Sequence, residues 1–340
     1  MRGFLLLAWL PFLACPVTDG LEMCPPSDAI APCACVIYST EDIDIDCMNA
    51  ETAEDIYRAF NDVTWDFKEM RSLIGELPEG VFADVSFQEF ILYDNIHLQS
   101  IHSSALLPSI ERLEVLHAGG SHRLHLFPFE ILPQMTALKA LYFGWTNFPE
   151  VPILRSNSLE TLNFWNSPIT SLGKEAWSMP NLKSFILGKN RLRELPQGLV
   201  TSMEKLVTFQ CNENHLGPHL QADYLEFKSP DLATVNLDGN DISTLAPGAI
   251  TGLGANTTLS LYRNSIEFLE EESFRPIVEV MVSGTGTLNV RGNPLACGCE
   301  ILWLVTNEPF RPKVLGTCKD DYIQLQDLDP QPFLDLCTVG

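Results

Sequence analysis

Basic residues are scarce. The 340-residue chain holds 21 lysines and arginines against 44 aspartates and glutamates, a formal net charge of −23. A surface that grips a phosphate backbone needs clustered cations, so this balance argues against nucleic acid and against an acidic membrane face. Long apolar runs are scarce too. Phe4–Ala14 is one, and it is too short to span a bilayer; no later run reaches the ~18 residues that a span requires. Catalytic signatures are missing as well: there is no G-x-S-x-G elbow, no Walker loop and no dinucleotide glycine fingerprint after a strand. His117, His122 and His125 lie close together, but a strand frame sends His117 to one face and the other two to the following turn, which speaks against a shared metal. The expected cofactor set is empty.

What is present is a repeat. Leu182–Pro196 reads LKSFILGKNRLRELP, with apolar residues at 182, 185, 187, 192 and 195 and Asn190 between them. That spacing fits neither a helical face nor simple alternation. It is the leucine-rich pattern LxxLxLxxNxLxxL. Phe185 and Leu187 lie two apart on a strand and point to one side, while a buried asparagine can bond the backbone groups that the next turn leaves open. The equivalent ladder positions are Asn95, Ser121, Thr146, Ser167, Asn190, Asn214, Asn240, Asn264 and Asn293. Their spacing runs from 21 residues (Thr146 to Ser167) to 29 (Asn264 to Asn293), as expected for such coils. With an irregular first coil around Trp65–Val81, the chain predicts an α/β solenoid: a leucine-rich-repeat horseshoe with a concave parallel sheet of about ten strands, roughly 45 Å long. Serine and threonine offer fewer bonds than asparagine, so the N-terminal coils are expected to be less regular.

The ends differ from the middle. Residues 1–20 read as a signal peptide, with cleavage placed after Gly20 and Ala14 or Cys15 as alternatives; its removal takes Arg2 and Asp19 together and leaves the charge unchanged. The chain ends three residues after its last cysteine, which leaves no room for an anchor and predicts a secreted, extracellular protein. Cys24, Cys33, Cys35 and Cys47 precede the repeats, and Cys297, Cys299, Cys318 and Cys337 follow them. An even count at each end, where a solenoid would expose its core, reads as two disulfide-stapled caps rather than zinc sites. The predicted divisions are a cap over residues 21–66, repeats over 67–292 and a cap over 293–340. Three connectivities remain open within each group. An alternating strand at Ile43–Cys47 and a helix over Ala53–Phe60 are expected inside the first cap. Cys211 takes the inward position that Leu187 holds one coil earlier, so it is expected to be a buried free thiol.

In this frame, Tyr93, His117, Tyr142, Trp145 and Trp165 project from the concave side of neighbouring coils, whereas the later coils present mostly Asn, Asp and Ser. Aromatics on a rigid sheet are typical anchors of an interface, so these five are the candidate partner-binding residues. Asn256 opens the sequon Asn256-Thr257-Thr258 and is the glycosylation candidate, although it falls on the first, usually inward, position of its coil.

From Cys24 to Cys337 the chain resembles secreted leucine-rich-repeat proteins with cysteine-rich caps. Its most specific piece is NPLACGCEILWL, from Asn293 to Leu304. The opening CPPSDAIAPCAC (Cys24–Cys35) and FPFEIL (Phe127–Leu132) resemble an arthropod group that includes the non-catalytic subunit of Oplophorus-type luciferin 2-monooxygenase. The resemblance implies the pairings Cys24–Cys35, Cys33–Cys47, Cys297–Cys318 and Cys299–Cys337. It also implies a non-enzymatic role: binding a protein partner through the concave face, as accessory subunit to a small secreted catalytic subunit or as a recognition protein for an extracellular ligand. Recognition of a microbial or matrix ligand is the alternative, and an enzyme or metal-binding protein the least expected.

Overall fold

The computed structural model describes residues 24–37, 43–60, 66–72, 74–320 and 322–337. The expected signal peptide, and Trp65 at the start of the first coil, lie outside the described residues.

One sheet of thirteen strands organises the described chain. The cap contributes β1 (Ala34–Ile37) and β2 (Ile43–Cys47), paired antiparallel. Ten coil strands follow: β3 (Asp66–Ser72), β4 (Ser86–Ile91), β5 (Val115–His117), β6 (Ala140–Tyr142) and β7 (Thr161–Asn163), then β8 (Ser184–Ile186), β9 (Thr208–Gln210), β10 (Thr234–Asn236), β11 (Thr258–Ser260) and β12 (Thr287–Asn289). A last strand, β13 (Val314–Leu315), comes from the second cap. From β2 onward every pairing is parallel. The ten coil strands match the count expected from the repeats, and the caps extend the same sheet at both ends.

From β4 onward each coil strand buries an inward residue. Phe90, Leu116, Leu141, Leu162, Phe185, Phe209, Val235, Leu259 and Leu288 are fully inaccessible, and each such side chain contributes on the order of 2 kcal/mol by leaving water. Cys211 is buried and free, as its coil position predicts; burial pushes its thiol far above the ordinary range. Phenylalanines thicken the core in two groups. Phe60, Phe82, Phe87 and Phe90 pack edge-on or tilted beneath the first coils. Phe127, Phe129, Phe143, Phe148 and Phe164 do so beneath the middle ones.

The ladder residues close each coil. Asn214 donates from Nδ2 to Leu187 O, Cys211 O and Asn212 O, while its Oδ1 accepts from Leu192 N at 3.0 Å. One side chain thereby ties two coils together. Thr146 and Ser167 make fewer bonds, to Phe143 O and to each other. The strands they follow nevertheless keep the same three-residue register as those of the asparagine coils. In these middle coils the expected irregularity shows in the hydrogen-bond count alone, because backbone pairing carries the register, whereas the first two coil strands, β3 and β4, run to seven and six residues. Just before each ladder residue the chain turns through a left-handed backbone, at Asp94, Gly120, Trp145, Asn166, Lys189, Glu213, Gly239, Arg263 and Gly292.

Both caps are stapled as the resemblance implied: Cys24–Cys35, Cys33–Cys47, Cys297–Cys318 and Cys299–Cys337. The helix Ala53–Phe60 starts on a reciprocal cap, in which Asp55 N donates to Thr52 Oγ1 and Thr52 N to Asp55 Oδ2. It buries Ile56, Ala59 and Phe60, which lie on one face at helical spacing. The 29-residue coil between Asn264 and Asn293 has room for a longer helix, Glu271–Met281, on the convex side. In the second cap, Trp303 Nε1 donates to Leu269 O and anchors the cap to that coil.

Candidate functional site

The sheet register sorts the exposed face into columns. Ile91, His117, Tyr142, Asn163, Ile186, Gln210, Asn236, Ser260 and Asn289 are mutual neighbours across adjacent strands. Two residues further along each coil come Tyr93, Gly119, Gly144, Trp165, Gly188, Asn212, Asp238, Tyr262 and Arg291. The five aromatic candidates fall in these two columns and, for Trp145, on the turn beside them.

Three of the five form one packed row. The Tyr93 ring meets His117 edge-on, with centroids 5.1 Å apart, and His117 stacks on Tyr142 at 5.0 Å and 29°. Gly119 makes this possible, since a Cβ there would lie 3.0 Å from His117 Cε1. Burial, opposed by nearby Asp94, lowers the His117 pKa below its ordinary value. The shift favours the neutral imidazole, which packs as part of an aromatic surface.

Trp165 lies elsewhere. Its ring covers Gly188, where an added Cβ would collide with both the indole and Asn212 Oδ1. Lys189 Nζ stands 5.4 Å from the indole centroid and 3.8 Å from a Glu213 carboxylate oxygen. Asn212 beneath is 7% exposed, and its Oδ1 has no hydrogen-bond partner among the described residues.

Trp145 stands at the rim, 50% exposed, with the edge of His122 packed on its ring at 6.1 Å. Its φ is +61°, a backbone state that costs a bulky residue about 1–2 kcal/mol. Glycine or a short polar side chain serves the turn better, and five other coils place Asp94, Gly120, Asn166, Gly239 or Gly292 there, while the remaining three carry the charged Lys189, Glu213 and Arg263. Trp145 N donates to Trp165 O at 2.7 Å, so the two tryptophans sit on neighbouring coils. Their rings pack on different partners among the described residues. Sequence spacing does not reveal His122 and Lys189 as their contacts, because the strand frame only puts His122 on the turn.

Beside the row runs a line of charge. Gln88 Nε2 donates to Glu114, which also pairs with Lys139, and Glu160 pairs with Lys183 at 2.7 Å. Lysine contacts hold both glutamates below the usual carboxylate range. These pairs are largely exposed and contribute little to stability, but they leave that edge of the sheet with its charge balanced.

The later coils are polar as expected, with one addition: Tyr262 carries the Arg263 guanidinium 5.0 Å from its ring centroid. Asn256 corrects the sequence reading. It is exposed, because Thr257, one residue later, takes the inward place and donates to Leu232 O at 2.6 Å. Asn256 Oδ1 accepts from Thr285 N and Oγ1.

The sheet, the ladder and the two stapled ends define a leucine-rich-repeat solenoid with cysteine-rich caps. No protein-family model matches the chain. It is similar over 331 residues, at 27% identity, to the Oplophorus-luciferin 2-monooxygenase non-catalytic subunit of Oplophorus gracilirostris, across 94% of this chain and 90% of that protein. It is 26% identical over 242 residues to Tsukushi of Rattus norvegicus, covering 61% of this chain and 67% of that one. Among solved structures, it superposes on a chain of the octameric complex of Latrophilin 3, Unc5D and FLRT2 with a TM-score of 0.56 and 17% identity, over 82% of this chain and 84% of that chain. That likeness concerns the fold. No helix among the described residues is long and apolar enough to cross a membrane.

Proposed function

We propose that the protein is an extracellular, non-enzymatic binding protein that holds a protein partner on the N-terminal half of its concave sheet. Trp145 is the observation that carries this reading. A half-exposed indole occupies a left-handed backbone position that glycine fills at no steric cost, and strain of this kind collects at functional sites. Around it the Tyr93–His117–Tyr142 row and Trp165 offer flat, rigid side chains that lose little entropy on binding. Four disulfides suit an oxidising compartment and support secretion.

The accessory-subunit form of this reading is supported by the name of the shrimp relative, a non-catalytic subunit. Mass photometry of the protein purified from native secretion tests it. A particle heavier than this chain by one stoichiometric second polypeptide is expected. A lone monomer at all accessible concentrations would sink the accessory form and leave a transient recognition protein.

A further inference from the structure

Trp165 stands between two glycines in its column, Gly144 on the coil before it and Gly188 on the coil after. Its backbone is pinned. Trp165 N donates to Asn163 Oδ1 at 2.8 Å, and Trp165 O accepts from Trp145 N at 2.7 Å. The freedom left to the indole is rotation about its own side-chain bonds, which has more than one staggered position on extended backbone. The ring lies on the Gly188 side, where an added Cβ would fall 2.3 Å from its Cζ3. On the other side, a Cβ at Gly144 would meet Trp165 O at 3.1 Å, then Asn163 Oδ1 and Trp165 Cβ at 3.6 Å. None of these is a ring atom. One indole thus has two glycine floors and rests on one of them.

The floor it rests on carries a defect. Asn212 lies across Gly188 from the indole edge, its Oδ1 2.7 Å from the place of a Gly188 Cβ. That oxygen is buried, and no donor among the described residues reaches it. A dry, unpaired amide oxygen destabilises the fold that holds it. The coil itself makes no use of it, because the ladder bonds run through Asn214, which takes the backbone oxygen of Asn212 and not its side chain. The other half of the amide faces charge. Asn212 Nδ2 stands 3.5 Å from Glu213 Oε1, and Lys189 Nζ stands 3.8 Å from the same oxygen.

Resting on the concave-face reading, we propose that Asn212 recognises an uncharged carboxamide of the partner, the side chain of an asparagine or glutamine. It is admitted when the Trp165 indole turns from Gly188 to Gly144. The unpaired oxygen calls for a donor. A cationic donor would face the Lys189 ammonium, and a carboxylate has no hydrogen to give and would face Glu213. An apolar group would leave the oxygen as it is. A carboxamide answers both sides: its N–H donates to Asn212 Oδ1, and its carbonyl accepts from Lys189. Over Gly144 the indole comes to the coil of Tyr142 and Trp145, so the same movement that opens Asn212 lengthens the aromatic surface beside it.

The test uses the full secreted chain labelled with fluorotryptophan, so that each indole gives its own fluorine resonance and Trp165→Phe assigns one by its loss. The probes are acetamide and N,N-dimethylacetamide, which share a carbonyl while only the first has an N–H to donate. Acetamide should move the Trp165 resonance saturably, and dimethylacetamide at equal concentration should leave it in place. The response should fall about fivefold or more in Asn212→Leu, and likewise in Gly144→Ala, which fills the second floor. Asn212→Leu should also melt about 2 °C above the parent, because apolar atoms replace the unpaired oxygen. Circular dichroism checks that the variants fold, and Asn212→Leu decides alone if Gly144→Ala does not. An equal response to both amides, a response to neither, or an undiminished response in Asn212→Leu would overturn the proposal. No partner enters this experiment, so it can fail while Trp145 still governs capture, and the concave-face reading is judged separately by the partner's affinity for Trp145→Gly.

Discussion

Side chains carry the sharpest expectations. If Trp145 is kept for binding at the expense of its turn, Trp145→Gly should fold at least as stably as the parent, and about 1 kcal/mol more stably than Trp145→Ala, which keeps the left-handed cost. Urea titration of the three proteins checks this order. His117 gives a pH dependence. Its folded pKa lies below the ordinary value of ~6.5, so the unfolded chain binds the proton more readily. Stability from this residue is present above pH ~6.5 and falls as the pH drops from there through the folded pKa. Thermal melts should show that acid-side loss diminished in His117→Gln. Cys211 should resist alkylation in the folded protein and react once denatured, since only the thiolate attacks and burial suppresses it. How the aromatics pack was not legible in the sequence. The strand frame places Trp165 and His117 on the open face, but where each ring lies depends on Gly188 and Gly119, which make room for it. Asn256 moved outward for a similarly local reason: the Thr257 hydroxyl supplies the bond to Leu232 that fixes that turn.

At the scale of the element, one coil is legible because its pattern is redundant. Two inward strand residues, a ladder residue and the following leucine must all agree, and a slip of one residue would turn the strand's buried side chain to water. In the cap, where no repeat helps, apolar alternation and an amphipathic face still place the strand Ile43–Cys47 and the helix Ala53–Phe60 at the predicted residues. The ladder itself predicts an asymmetry. Asn214→Ala leaves three carbonyls and the Leu192 amide without that partner inside the core and should cost about 3 kcal/mol in chemical denaturation. Thr146→Ala loses the bond to Phe143 O and the hydroxyl contact with Ser167, leaves fewer groups unpaired, and should cost roughly 1 kcal/mol.

Across the whole molecule, the caps and the sheet act as one body, since the cap strands β2 and β13 continue the parallel sheet. Opening Cys299–Cys337, which closes a 38-residue separation, by a double serine substitution should lower stability by roughly 3–4 kcal/mol. The loss should begin at the last coils, as hydrogen exchange around Leu288 and Val314 would report, because each coil of a solenoid leans only on its neighbours. The overall charge of −23 favours solubility and does not choose the partner. We propose that the aromatic half of the concave sheet makes that choice. The most direct measurement is the affinity of the partner co-purified from native secretion for the parent protein and for the Trp145→Gly, Trp165→Ala double variant, both folded. The account predicts a loss of at least about a hundredfold in the variant; an affinity equal to the parent's would contradict it.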